Sequence, residues 1–399
     1  MKKQTIAINT PSARTDVYGA LSTPIYNNVA FEFDDAQVMS DAFCNRIKAP
    51  DYSRIANPTV TNFELRVKAL TGAQHVTAFN SGMAAISNVL LAVGAQGKNI
   101  VTSHHLFGNT LALISNTLSR FGVEPRLRDL TNINDVENAI DENTCCIFLE
   151  VITNPQLEVA DLQAIAQIAH RKGVPLIADS TIIPFTETNL KSLGVDIEVV
   201  SSTKYISGGG TSLGGLIIDY GTFPDINKHI KYELLFNFGS YMTPQAAYMQ
   251  TIGLETLDVR YQRQSANARQ IAEQLLNLPQ IKNVNYIGLP NNKFNQLAKK
   301  QFGPTAGAML TIDLNSKARC YSFINNLKLI HRATNLFDNR TLAIHPASTI
   351  FGNFTEKQLE QMDVRQTTIR LSIGLEAPED IISDIQQALS YQCNITLIK

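Results

Sequence analysis

From His75 to Gly221 the chain alternates short apolar runs of strand type with longer runs of helical type, and that rhythm limits its fold more than any other feature. HVTAF is followed by SGMAAISNVLLAVGA and NIVTS by TLALISNTLSRF; then come EPRLRD, CCIFLEV, the helical DLQAIAQIAHRKG, PLIADS, IEVVSS and GGLIIDYG. Alternation of this kind predicts a mostly parallel sheet covered by helices on both faces. Around residue 250 the character changes. The stretch MTPQAAYMQTIGLETLDVRYQRQSANARQIAEQLL reads as a long, broken helical passage that joins a large domain to a smaller one. Beyond it the strand candidates AGAMLTIDL, LKLIHRATN and TIRLSIGLE alternate with the helices KARCYSFINNL and PEDIISDIQQAL. The expected class is α/β, with a large domain over 61–254 and a smaller α/β domain over 255–399. Residues 1–60 are polar, and Pro11, Pro24, Pro50 and Pro58 are expected to break any regular pattern there, so this part reads as an extended arm.

Composition narrows the partners. A chain of 399 residues, 44% hydrophobic, can bury a large core, and 34 basic against 35 acidic residues give no electrostatic reason to expect nucleic acid or an anionic membrane. A small neutral or zwitterionic ligand fits better. No segment has the pattern of a signal peptide or the length of a membrane span, so a cytoplasmic location is expected. The five cysteines, at 44, 145, 146, 320 and 393, lack metal-ligand spacing and read as free thiols, Cys145 and Cys146 within a buried strand. His104 and His105 have no third ligand at useful spacing, so no metal site is expected.

In an open parallel sheet, ligands bind at the carboxyl ends of the strands. Asn154, Asp179 and Lys204 each stand at or just beyond such an end. A strongly hydrated ammonium in SSTKYISGGG is out of place unless its charge is satisfied or its amine is in use, and a buried ion pair with Asp179 is one way to satisfy it. Ser81 is a good N-cap for the helix SGMAAISNVLL, Gly82 allows close approach to its first turn, and the free amides there suit a phosphate. Ser201 and Thr203 offer hydroxyl donors to the same group. Lysine amine, carboxylate and phosphate cradle together are what pyridoxal phosphate requires. The glycine tract GGGTSLGG has neither dinucleotide nor P-loop spacing and runs into a strand, so it reads as backbone bending around the lysine.

Over nearly its full length the chain resembles the pyridoxal-phosphate enzymes of cysteine and methionine metabolism, the cystathionine γ-synthase and methionine γ-lyase group. The matching motifs are DYSRIANPT at 51–59, NSGMAAI at 80–86, ITNPQLEVAD at 152–161, PLIADSTIIP at 175–184, SSTKY at 201–205, GLETLDVR at 253–260, HPAST at 345–349 and IRLSIGLE at 369–376. The resemblance implies a fold-type I, aminotransferase-like subunit that assembles as a homo-oligomer, a tetramer built as a dimer of dimers. It implies Lys204 as the Schiff-base lysine, Asp179 on the ring nitrogen, Asn154 near the ring oxygen, and Gly82, Met83, Ser201 and Thr203 around the phosphate. Ser81, Phe107 and Thr181 join the cofactor residues. Tyr52 and Arg54 match residues that reach the phosphate of a neighbouring subunit. Arg370 matches the arginine that grips the substrate α-carboxylate, and Asn335 joins it as a substrate residue.

Within that group the sequence leans one way. Where the family usually stacks a tyrosine on the cofactor ring, this chain has Phe107, which cannot donate a proton; Gly209 stands where the sulfhydrylase pattern has histidine, and Phe351, which counts against the lean, stands where the family commonly has histidine after HPAS. GGGTSLGG and TPIYNNVAFEFDD are similar to the O-acetylhomoserine sulfhydrylase branch. Expelling a thiolate, whose conjugate acid has a pKa of about 8.5, benefits from protonation, whereas a carboxylate of pKa about 3.5–4 leaves unaided. The expected reaction is therefore γ-replacement on O-acetyl-L-homoserine by sulfide or a thiol. Methionine or cystathionine γ-lyase, cystathionine γ-synthase and a non-catalytic binding protein of the same fold are the alternatives.

Overall fold

Alternating strands and helices become a seven-stranded sheet in the computed structural model, which describes residues 1–10 and 18–391. Its strands are β1 (His75–Phe79), β2 (Asn99–Ser103), β3 (Glu124–Arg128), β4 (Thr144–Glu150), β5 (Leu176–Asp179), β6 (Ile197–Val200) and β7 (Gly215–Asp219), in the order β1-β7-β6-β5-β4-β2-β3. Strands β6, β5, β4, β2 and β3 pair in parallel, and β7 runs antiparallel to both β1 and β6. The sheet is thus mostly parallel, as the rhythm predicts. Along β4, Cys146 and Phe148 enter one apolar cluster while Ile147 and Leu149 enter another. Both faces of this strand are covered, which explains its unbroken apolar run.

A second sheet holds β8 (Asn283–Asn285), β9 (Met309–Asp313), β10 (His331–Arg332), β11 (Leu342–Ile344) and β12 (Thr368–Ser372), ordered β10-β11-β12-β9-β8. Only the β10–β11 pair is parallel. The predicted strand LKLIHRATN forms just His331–Arg332; the chain then leaves the sheet as a loop that carries Thr334 and Asn335 to the cavity described below. Strands β8 and β11 have three residues each, too short for periodicity to reveal. The broken helical passage is two helices, Pro244–Glu255 and Leu257–Leu275, meeting at Thr256.

The N-terminal stretch differs from its expectation. Helices α1 (Lys3–Asn9) and α2 (Ala36–Phe43) interrupt it, and α3 (Pro58–Thr71) starts at a proline expected to break structure. The reason lies in capping. Asp35 accepts the Val38 N–H at 2.8 Å and Asn57 accepts the Thr59 N–H at 3.0 Å, while Pro58 occupies the first helical position, where no N–H is needed. Pro11 and Cys393 lie outside the described residues; Cys44, Cys145, Cys146 and Cys320 are free thiols. Among the described residues no helix is long and apolar enough to cross a membrane.

Candidate active site

Strands β4, β5 and β6 are neighbours, so the segments that leave their carboxyl ends converge. They open into a cavity of about 900 Å³. Every site residue expected from the sequence lines it except Tyr52 and Arg54. Tyr52 is exposed, and the Arg54 guanidinium sits over its ring at 5.3 Å and donates to the Phe236 carbonyl.

Lys204 lies in a tight turn just after β6. Its own N–H reaches the Ser201 carbonyl at 3.1 Å, and the Ser207 N–H reaches that of Ser202 at 3.0 Å. The Thr203 hydroxyl closes the turn, accepting from the Gly214 N–H at 3.0 Å and donating to the Gly214 carbonyl at 3.2 Å. That hydroxyl hydrogen is already committed, so Thr203 is a weaker candidate phosphate donor than its position in sequence implies. The GLETLDVR motif seats the turn: Arg260 donates to the Tyr205 carbonyl at 2.7 Å, to the Gly253 carbonyl at 2.5 Å and to the Thr256 hydroxyl at 3.1 Å. Among the described residues the Lys204 Nζ donates to Asn335 Oδ1 at 3.1 Å. Burial, assisted by the positive charge of Arg370 and opposed by Asp179, brings the amine down to about 8. An amine at that value can both take and return a proton near neutral pH.

Asp179 ends β5 and accepts the Thr181 N–H at 2.9 Å. Burial raises its carboxyl, with the Thr181 bonds and Lys204 acting against the rise. Its register partner on β4 is Glu150, a residue that reading strand ends does not single out. Glu150 is buried and accepts from the Phe107 N–H at 2.6 Å and from the Asn154 N–H at 3.3 Å. It ties together the segments that present Phe107 and Asn154. Burial, and then the Asp179 charge, push it up to about 8. A carboxylate inside CCIFLEV was the available signal, because an unpaired acid is rarely placed in a doubly covered strand.

The helix α4 (Gly82–Val93) points its amino end at the cavity. Ser81 caps it, accepting the Ala84 N–H at 3.1 Å, and the first amides have no preceding carbonyl to bond. No acidic residue occupies its first turn, so nothing competes with an anion for that end of the helix dipole. Glycine is required at 82, since a Cβ there would stand 2.6 Å from the Ser201 Cβ. On the opposite wall Arg370, from the middle strand β12, is 2% exposed. Its guanidinium donates to Asn154 Oδ1 at 3.1 Å and to the Thr334 carbonyl at 3.0 Å, but Nε has no partner and no carboxylate pairs with it among the described residues. Burial lowers it to about 9. A buried guanidinium without a counter-ion is suited to receive a carboxylate.

The polar groups thus match one kind of occupant. An amine able to form a Schiff base, a carboxylate to face a ring nitrogen and a helix amino end to face a phosphate fit pyridoxal phosphate. Residues 4–390 match the model of the Cys/Met metabolism PLP-dependent enzyme family. The chain belongs to this family. It is 37% identical to an L-methionine γ-lyase of Fusobacterium nucleatum over 98% of its length and 99% of the relative's. It is 35% identical to an O-acetyl-L-homoserine sulfhydrylase of Corynebacterium glutamicum, over 92% of both chains. The crystal structure of a Campylobacter jejuni protein assigned as an O-acetylhomoserine (thiol)-lyase superposes with a TM-score of 0.94 at 32% identity, covering 98% of this chain and all of that one. That structure contains a pyridoxyl-lysine phosphate. This member of the family is a pyridoxal-phosphate-dependent enzyme of cysteine and methionine metabolism with a fold-type I subunit.

His105 is held between Glu158 at 2.6 Å and Asp363 at 3.2 Å, which leaves it clamped by carboxylates beside the segment that carries Phe107. Phe351 is fully buried against Phe354 and does not line the cavity; its neighbours Thr349 and Ile350 do.

Proposed function

We propose that this enzyme catalyses γ-replacement on O-acetyl-L-homoserine by sulfide or a thiol, giving with sulfide L-homocysteine and acetate, as a step of methionine and cysteine biosynthesis. The carrying observation is the cavity wall: its aromatic residue is Phe107, and no tyrosine, cysteine or histidine lines it among the described residues. The Cγ–O bond breaks with its electrons leaving on acetate, which needs no proton, and the Cγ–S bond forms from the incoming sulfur. Bound pyridoxal phosphate supplies an electron sink that makes the substrate's Cα and Cβ protons acidic. Asp179 would hold the ring nitrogen protonated, and Asn154 would stand beside the ring oxygen. Lys204 takes the proton from Cα and carries protons at Cβ. Arg370, with Asn335, orients the substrate through its α-carboxylate. Ser81, Gly82, Met83 and Ser201, with Thr203 as the weaker donor, would hold the phosphate, and Thr181 and Phe107 would stand against the ring.

The same reading divides the chain into an arm over 1–60, a cofactor domain over 61–254 and a C-terminal domain over 255–399. It has the enzyme working as a homotetramer in the cytoplasm, with Tyr52 and Arg54 reaching the phosphate of a neighbouring subunit. The arm supports this: Leu21, Ile25, Val29, Met39 and Phe43 are exposed apolar residues on one segment.

Likeness to the Fusobacterium enzyme favours a second reading, α,γ-elimination from methionine to 2-oxobutanoate and ammonia. The test is a substrate panel on the purified holoenzyme. Homocysteine should form from O-acetylhomoserine and sulfide faster than 2-oxobutanoate forms from methionine or cystathionine. The opposite order overturns the proposal.

A further inference from the structure

The Asn335 amide sits between two charged groups of the cavity wall. Its Oδ1 accepts from Lys204 Nζ at 3.1 Å and its Nδ2 donates to Asp338 Oδ2 at 3.3 Å. A primary amide has an accepting edge and a donating edge of nearly the same shape, so only its neighbours decide which way it faces. An ionised carboxylate accepts and cannot donate; it can therefore take only the NH₂ edge.

Asp338 is built to stay ionised and in place. It is 6% exposed, and its Oδ1 accepts from the Arg340 N–H at 3.1 Å and the Arg340 Nε at 2.9 Å. These bonds outweigh the effect of burial and hold its carboxyl below the ordinary range. Its carbonyl accepts from Gln264 Nε2 at 2.7 Å, and Arg340 reaches on to the Gly209 carbonyl at 3.0 Å. The glycine tract is cut to fit: Gly210 has φ +66°, and a Cβ there would lie 2.4 Å from Asp338 Oδ2. Lysine turn, glycine tract and the loop after β10 therefore close around one amide.

We propose that Asp338 is a positioning residue that fixes the orientation of the Asn335 amide, so that its carbonyl edge always meets the Lys204 amine. The inference rests on reading Lys204 as the reactive lysine. Without the carboxylate the amide is free to turn, and its NH₂ edge then opposes the protonated amine. Hydrogen bonding to a charged form stabilises that form, so losing the bond moves the protonation of Lys204 to lower pH. Asp179 from β5 and Arg370 from β12 also face the amine, with Glu150 behind Asp179; all remain unchanged in the variants below.

The test titrates Lys204 directly in the full-length chain freed of cofactor. Its labelling by a small amine-reactive reagent is followed against pH by peptide mass spectrometry. D338N should lower the midpoint by about one pH unit, a tenfold change in the protonation constant, in line with a hydrogen bond to a charged group. N335A should lower it by a similar amount, and N335A/D338N should lower it no further than N335A alone. An unmoved midpoint in D338N overturns the proposal, and so does a full additional shift in the double variant, because Asp338 then acts through its own charge. Should the change at 338 prevent folding, N335A carries the test, and an unmoved midpoint there overturns it equally. Failure of the parent reading would look different: in wild-type protein the cofactor, fixed by borohydride reduction, would be found on a lysine other than Lys204, whatever the titration shows.

Discussion

Replacing Glu150 by glutamine removes a charge and keeps the shape. The carboxyl is 8% exposed, and burial, then the Asp179 charge, raise it from an ordinary value of 4.5 to about 8. Folding therefore favours its protonated form. Its stabilising contribution is complete below about pH 4.5 and is lost as pH rises through about 8. At about 1.4 kcal/mol per pH decade, that interval corresponds to about 5 kcal/mol as an upper figure. Glutamine does not titrate, so E150Q escapes the loss. It has only one accepting end, however, for the Phe107 and Asn154 N–H groups that both oxygens now serve. One buried N–H goes unpaired, at a cost of about 1–3 kcal/mol at every pH. E150Q should thus be less stable than wild type at pH 5 and more stable at pH 9, with the two curves crossing between. Urea denaturation of the cofactor-free chain at matched protein concentrations, from pH 5 to 9, reads this directly. Curves that stay parallel over that range would refute the reasoning, because Glu150 would then titrate alike in the folded and unfolded states.

Three other substitutions probe neighbouring links. R260M takes the donor from the Tyr205 carbonyl beneath the lysine turn, while the Gly253 carbonyl keeps the Thr256 N–H at 3.3 Å, so chemical denaturation should show a loss of about 1–3 kcal/mol. As Arg260 has no ion-pair partner among the described residues, that loss should not depend on salt. R370K replaces a planar fork by a point charge that cannot serve Asn154, Thr334 and a carboxylate together. Steady-state kinetics should give a KM about 10–100-fold higher with a smaller fall in kcat, reflecting a lost charge-assisted pair of about 1.5–3 kcal/mol. F107Y adds a hydroxyl to the cavity wall and should raise 2-oxobutanoate release from methionine relative to homocysteine formation; an unchanged ratio removes the argument from leaving-group protonation.

Asn154, Asp179 and Lys204 can be read together from the chain because a parallel sheet turns sequence into position by a simple rule: the segments leaving adjacent strands emerge side by side. The cap at Ser81 is legible for the same reason, since a helix start is a local pattern. What escapes is whatever depends on a partner far along the chain. Asp338 acquires meaning only when the loop after β10 is folded against Lys204, and Arg260 only when Leu257–Leu275 passes beneath the lysine turn. Thr203 shows the reverse case: its hydroxyl looks free in sequence, and in the fold it bonds the returning backbone at Gly214. Glu150 lies between these cases. Its place in an apolar strand was visible, but its task depends on Phe107 and Asn154 arriving from separate loops to share one carboxylate. The residues proposed for the cofactor come mainly from strand ends and a helix cap, whereas Asn335, Asp338 and Arg370 come from the loop after β10 and from the second sheet. The proposed preference for replacement over elimination rests on Phe107 in the cavity wall, and it is tested by changing that residue.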